Sequence, residues 1–162
     1  MLNDLKDKVV LITGSSTGIG AAAAVAFGKL GARVAVHYNS SKGPGEEVLK
    51  AVQATGAQAI LLQGNVLETA QCHRLVEETV KAFGRIDILI NNAGITQAVK
   101  TLEIDPASWD RILDVNLRGV LYLSQAVIPH MKKQGGGSIA CMSSVSAQRG
   151  GGILGGPHYS AA

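Results

Sequence analysis

The feature that most constrains this chain is a glycine-punctuated turn near its N-terminus. Val9-Val10-Leu11-Ile12 is a short apolar run rich in β-branched residues, as expected of a strand buried on both faces. Thr13-Gly14-Ser15-Ser16-Thr17-Gly18-Ile19-Gly20 follows, and an Ala-rich stretch over residues 21–30 predicts a helix that Gly31 ends. Gly14 allows a tight turn. Gly18 lets backbone N–H groups approach a pyrophosphate, and Gly20 lets the helix pack closely on the strand. The helix N-terminus would add partial positive charge and free donors. An ordinary glycine-rich turn is the competing reading, and the strand–loop–helix context weighs against it.

The rest of the chain repeats the alternation. Residues 33–38 predict a second strand, 39–45 a turn, 46–55 a helix and 58–63 a third strand. Cys72, Leu75, Val76, Thr79, Val80 and Phe83 fall on one helical face, which Gly84 closes. Residues 86–90 predict a fourth strand, followed by Asn91-Asn92-Ala93-Gly94. Asp105-Pro106 has the form of an N-cap with Pro at the first helical position, and a long helix is expected to about Lys133. Gly135-Gly136-Gly137 breaks it, residues 138–142 predict a fifth strand, and a Gly-rich loop runs to Pro157. Helices between buried strands imply right-handed crossovers and a parallel sheet.

With 162 residues the chain is expected to form one domain over residues 1–162, with enough length for a real core. The net charge of +3 is small and its cations are scattered, which argues against nucleic-acid binding. Cys72 and Cys141 both lie in apolar segments and are expected to be buried reduced thiols. No stretch reads as a secretory signal or a membrane span, so a cytoplasmic location is expected. His37, His73, His130 and His158 lack ligand spacing, so no metal site is expected. His158 could line a pocket or sit in an exposed loop.

Five motifs together resemble the short-chain dehydrogenase/reductase family. They are Thr13-Gly14 through Gly18-Ile19-Gly20, then Asn91-Asn92-Ala93-Gly94, then Asn116-Leu117-Arg118-Gly119, then Ser143-Ser144, then Tyr159 at the head of a new helix. They occur in the family's order and cover the chain from Leu5. The resemblance implies an α/β fold: a Rossmann-type doubly wound parallel sheet of five strands in the order 3-2-1-4-5, with flanking helices, lacking the family's C-terminal part. It implies an oxidoreductase that moves a hydride between a nicotinamide dinucleotide and a small carbonyl or alcohol substrate. A homo-dimer or homo-tetramer is implied for a full-length protein. The rivals are a non-catalytic dinucleotide-binding remnant and a sugar-nucleotide epimerase, whose glycine spacing differs.

By resemblance, Gly14, Ser16, Thr17, Gly18, Ile19, Gly20, Asn92, Ala93 and Gly94 contact the cofactor, with Asn39 and Ser40 at its ribose and Asn65 and Val66 at its adenine. An acid at the end of the second strand would select NAD(H). Tyr38-Asn39-Ser40 has none there, so NADP(H) is preferred and NAD(H) possible. Ser40, Ser41 and Lys42 are available to a 2′-phosphate.

The resemblance also assigns proton transfer to Tyr159, the substrate oxygen to Ser144, and a relay water to Asn116. Asn116 stands out independently as an amide within an apolar stripe that includes Trp109, Leu113, Leu117, Val120 and Met131. Ser146 competes with Ser144, because its distance to Tyr159 is the family's usual thirteen residues. A phenol of pKa ≈ 10 is only about 0.1% ionised at neutral pH. The family supplies a Lys four residues on, which here would be position 163, one past Ala162. The natural polypeptide is therefore expected to continue, or this chain to be an inactive fragment. In either case residues 139–142 of the chain alone would form an exposed apolar edge.

Overall fold

The computed structural model describes residues 3–150 and 155–162. Five parallel strands form one sheet: β1 (Val9–Ile12), β2 (Arg33–Tyr38), β3 (Ala59–Gln63), β4 (Ile88–Asn91) and β5 (Ser138–Cys141). Their order is β3-β2-β1-β4-β5, the expected doubly wound arrangement. Val10 pairs with both Val34 and Ile88, so β1 lies at the centre and all four of its residues are buried.

Side-chain alternation sends the strands' apolar groups to two cores. Val10, Ile12, Val34 and Val36 pack with Ala24 of α1 (Gly18–Lys29) and Val52 of α2 (Lys42–Gln53). Leu11, Ala35 and Leu89 pack on the other face. There they meet Cys72, Leu75 and Val76 of α3 (Thr69–Phe83) and the Leu123, Ala126 and Val127 side of α5 (Gly119–Lys133). The sequence periodicity of α3 is thus its buried face, and Gly84 ends it at φ 80°. Burial together with the nearby Glu68 carboxylate pushes the Cys72 thiol up to about 11, which keeps it protonated and inert.

Several expectations need correction. Helix α2 begins at Lys42, not at residue 46. Gly43-Pro44-Gly45 reads as a turn but occupies the first helical turn, where a missing N–H costs nothing. Helix α1 likewise starts at Gly18, three residues early. The long helix is not uniform. Helix α4 (Pro106–Leu113), capped by Asp105 through a 2.7 Å bond from the Ser108 N–H, passes into a π-helical turn at Asp114–Arg118 before α5. The wider turn changes the helix phase, so the supposed apolar stripe is split: Trp109 and Leu117 are exposed, whereas Met131 is buried.

Cys141 is exposed, not buried, because β5 is the sheet's edge and all four of its residues are exposed. After β5 come two short helices, α6 (Ser146–Arg149) and α7 (Pro157–Ala161). Residues 151–154 of the expected Gly-rich loop, including Gly151 and Gly152, lie outside the described residues. Among the described residues no helix is long and apolar enough to cross a membrane.

Candidate active site

The strand order reverses between β1 and β4, and the loops leaving their carboxyl ends define a crevice, the usual ligand position in such sheets. Hydrogen bonds tie those loops together. Thr13 Oγ1 accepts from the N–H groups of Asn92 and Ala93, each at 3.0 Å. Asn92 Nδ2 returns bonds to the carbonyls of Thr13 (2.9 Å) and Gly14 (3.1 Å). Asn92 therefore holds the crevice's shape, and its side-chain donors are directed at the neighbouring loop.

Two adjoining clefts open from this crevice and share Ile19, Asn92, Ala93, Gly94 and Ile95. The larger, of ≈ 580 Å³, is lined by Gly14, Ser16, Thr17, Asn39, Ser40, Asn65 and Val66, all candidate cofactor residues. Gly18 and Gly20 line neither cleft. Gly18 sits at φ 57°, a conformation that favours glycine, and Gly20 permits the close approach of α1 to Gly14 and Asn92.

The start of α1 suits an anion. Thr17 occupies the N-cap position without a side-chain capping bond, so the first N–H groups keep their donor capacity, and no acid stands in the first turn. Ile19 is 68% exposed at this point and gives both clefts an apolar floor. Among the described residues that line the large cleft there is no carboxylate and one cation, Arg111. These features fit a dinucleotide. Lys42, a sequence candidate for a 2′-phosphate, instead pairs with Glu46 at 3.8 Å. Asn65 is already engaged: its Oδ1 accepts from the Leu67 N–H at 3.1 Å and its Nδ2 donates to Glu68 at 3.2 Å. One lone pair on Oδ1 is left for an adenine amino group.

The smaller cleft, of ≈ 230 Å³, brings Asn116, Ser144 and Tyr159 together with Ser143, Met142 and Ala147. Ser146 is not in that lining; its N–H donates to Ser144 Oγ at 3.2 Å. Asn116 sits on the π-helical turn, and both ends of its amide meet one backbone: Oδ1 accepts from Ile95 N–H at 2.8 Å, and Nδ2 donates to Ile95 O at 2.9 Å. Its clearest structural role is to fix the loop after β4. His158 neither lines the cleft nor lies exposed. It is fully buried, with Nε2 3.2 Å from Gln97 Oε1.

His37, Arg111 and Val115 also line the large cleft and are not among the sequence candidates for cofactor contact. For His37 there was a signal: one polar residue within the apolar run Val34-Ala35-Val36-His37. Burial pushes its imidazole down to about 4, although its hydrogen bond to Gly64 O acts in the opposite sense. Between pH 6.5 and about 4 the ring is therefore neutral in the folded protein and charged in the unfolded chain. Stability from this group is full above pH 6.5 and is lost as pH falls toward about 4. The total is about 3 kcal/mol. Urea unfolding at pH 7.5 and pH 4.5 should show most of that loss in the wild type and a smaller one in His37→Asn.

Comparisons with known proteins show the family and the fold. The chain matches the family profile described as short chain dehydrogenase over residues 8–162. An uncharacterized short-chain type dehydrogenase/reductase of Sinorhizobium fredii is 53% identical over 161 residues, covering 98% of this chain and 63% of the relative. An L-rhamnose 1-dehydrogenase (NAD(P)(+)) of a Sphingomonas species is 39% identical over 148 residues, covering 91% of this chain and 58% of that enzyme. The crystal structure of NADH-dependent reductase A1-R′ complexed with NAD superposes with a TM-score of 0.90 at 36% identity, covering 99% of this chain and 69% of that one. The chain thus spans 58–63% of the length of these two curated relatives.

Proposed function

Because the chain belongs to the short-chain dehydrogenase family, we propose that it binds a nicotinamide dinucleotide in the large cleft and moves a hydride to or from a carbonyl or alcohol carbon in the smaller one. One observation carries this reading: the cleft lined by Asn116, Ser144 and Tyr159 adjoins the cleft lined by the glycine loop, with Ile19 and Gly94 in the lining of both. The nicotinamide, when bound, gives or takes the hydride. The chain's own residues supply the rest. The α1 N-terminus, Ser16 and Thr17 hold the pyrophosphate. Ser144 Oγ hydrogen-bonds the substrate oxygen, and the Tyr159 hydroxyl donates a proton to that oxygen in reduction and receives it back in oxidation. Asn116 keeps residues 94–96 in place at the junction of the two clefts.

Ser144 is the better choice for the substrate oxygen because it lines the cleft, whereas Ser146 begins α6 and supports Ser144 through its backbone N–H. Ser144→Ala should cut kcat/KM with carbonyl substrates by ~10²-fold or more, as loss of an oxyanion donor does. Ser146→Ala, which leaves that N–H in place, should stay within a few-fold. The reverse order would move the role to Ser146.

NADP(H) is the preferred cofactor in this reading. Support comes from the lack of any carboxylate in the large cleft's lining, where Asn39, Ser40 and Ser41 stand and an acid would repel a 2′-phosphate. The names of similar proteins point both ways: the L-rhamnose enzyme is described with NAD(P)(+) and the A1-R′ reductase with NADH. The ratio of NADPH to NADH dissociation constants decides it. Leu117, Leu121 and Ile128 present an exposed apolar face along one side of α5 and its approach, which supports homo-oligomeric association.

A further inference from the structure

We propose that His37 is a positioning residue for dinucleotide binding: its neutral imidazole accepts the Gly14 N–H and so holds the glycine loop in its binding shape before the ligand arrives. This rests on reading the large cleft as the dinucleotide site, and it adds a residue outside the five motifs.

The tautomer follows from the partners. His37 Nδ1 lies 2.9 Å from the Gly14 nitrogen, and a backbone N–H can only donate, so Nδ1 is the acceptor. Nε2 lies 2.9 Å from Gly64 O, which can only accept, so Nε2 carries the proton. One ring thus bridges the loop after β1 to the segment after β3, while also lining the large cleft. Two further bonds run beside it, one backbone to backbone from Ser15 N–H to His37 O and one from His37 N–H to the Ser15 side-chain Oγ, both 2.9 Å.

The loop needs such a tie. Gly14 and Gly18 both sit at positive φ, 61° and 57°, and glycine is the residue whose free chain has most conformations to lose. The Gly14 N–H has no other partner among its described bonds, so its direction is set by the His37 ring. A loop already held in place binds more tightly because less ordering accompanies binding. The low proton affinity of the buried ring keeps Nδ1 an acceptor throughout the neutral range.

Asparagine and glutamine separate the ring's two bonds. An Asn amide oxygen can reach the Nδ1 position and keep the Gly14 bond. A Gln amide nitrogen reaches toward Nε2 and keeps the Gly64 bond alone. NADPH dissociation constants by fluorescence titration, and hydrogen exchange of the Gly14 amide without ligand, should be measured for His37→Asn, His37→Gln and His37→Leu. We expect His37→Gln and His37→Leu to weaken NADPH binding about tenfold and to speed Gly14 exchange similarly, with His37→Asn recovering most of both. If His37→Leu does not fold, the Asn and Gln pair carries the comparison. Equal weakening in Asn and Gln, or unchanged binding in Gln, overturns the proposal while leaving the dinucleotide site intact. A wild-type protein that binds neither NADPH nor NADH overturns the site reading and this positioning role together.

Discussion

Gly14→Ala is expected to lower the free energy of unfolding by roughly 3 kcal/mol and to abolish dinucleotide binding. Two costs combine. Gly14 sits at φ 61°, where an L side chain costs about 1–2 kcal/mol. A Cβ there would lie 2.8 Å from the Ala93 Cα and 3.2 Å from the Ala93 nitrogen, both backbone atoms of a loop held by Thr13 and Asn92. Relieving such overpacking typically costs about 1–3 kcal/mol. Gly18→Ala is the matched control. Its φ of 57° is similar, yet nothing lies within 4 Å of the added carbon, so only the conformational cost of about 1–2 kcal/mol applies. Thermal unfolding should place Gly14→Ala about 6–10 °C below the wild type, with Gly18→Ala in between. Equal shifts for the two would mean that the contact between the loops after β1 and β4 contributes little.

The second large effect concerns Tyr159. In protein that turns over a carbonyl substrate, Tyr159→Phe should reduce kcat by ~10²–10⁴, the usual value of a positioned proton donor. The change removes one oxygen and keeps the ring, so NADPH affinity should hold within a few-fold, because Tyr159 lines the small cleft and not the large one. Stopped-flow rates with a panel of ketones and ketoacyl thioesters read the first quantity, and fluorescence titration reads the second. Retention of full turnover by Tyr159→Phe would assign the proton to another group.

The β1–loop–α1 unit was legible because three signals agree there: a buried strand run, glycines where the turn requires them, and a helix that begins at once. The face of α3 was legible from its period. What escaped the sequence did so for identifiable reasons. A glycine–proline cluster such as Gly43-Pro44-Gly45 has turn chemistry but is also tolerated in a first helical turn. The π-helical turn at Asp114–Arg118 leaves no compositional mark, so a stripe drawn straight through it joins residues that face different ways. Cys141 was misread from its apolar neighbours alone, although the expected strand order already made residues 139–142 an exposed edge, as β5 is. His37 was considered only as a metal ligand, for which the four histidines lack spacing. Its bond to Gly14 spans 23 residues and exists only once β1 and β2 are paired.

The candidate site follows the same division. The motif residues were identified from their order along the chain, and the clefts gather most of them. Gly18 and Gly20 instead shape the loop, and the Asn116 amide holds Ile95. Ser144 was the sequence assignment even though the thirteen-residue spacing belongs to Ser146, and Ser144 is the one of the two that lines the small cleft.

In the proposed function the glycine loop and the segments after β2, β3 and β4 form one dinucleotide site. Calorimetric titration of the protein with NADPH and with NADH tests it most directly. Saturable binding at one site per chain is expected, tighter for NADPH and lost in Gly14→Ala. Folded wild-type protein that binds neither dinucleotide would contradict it.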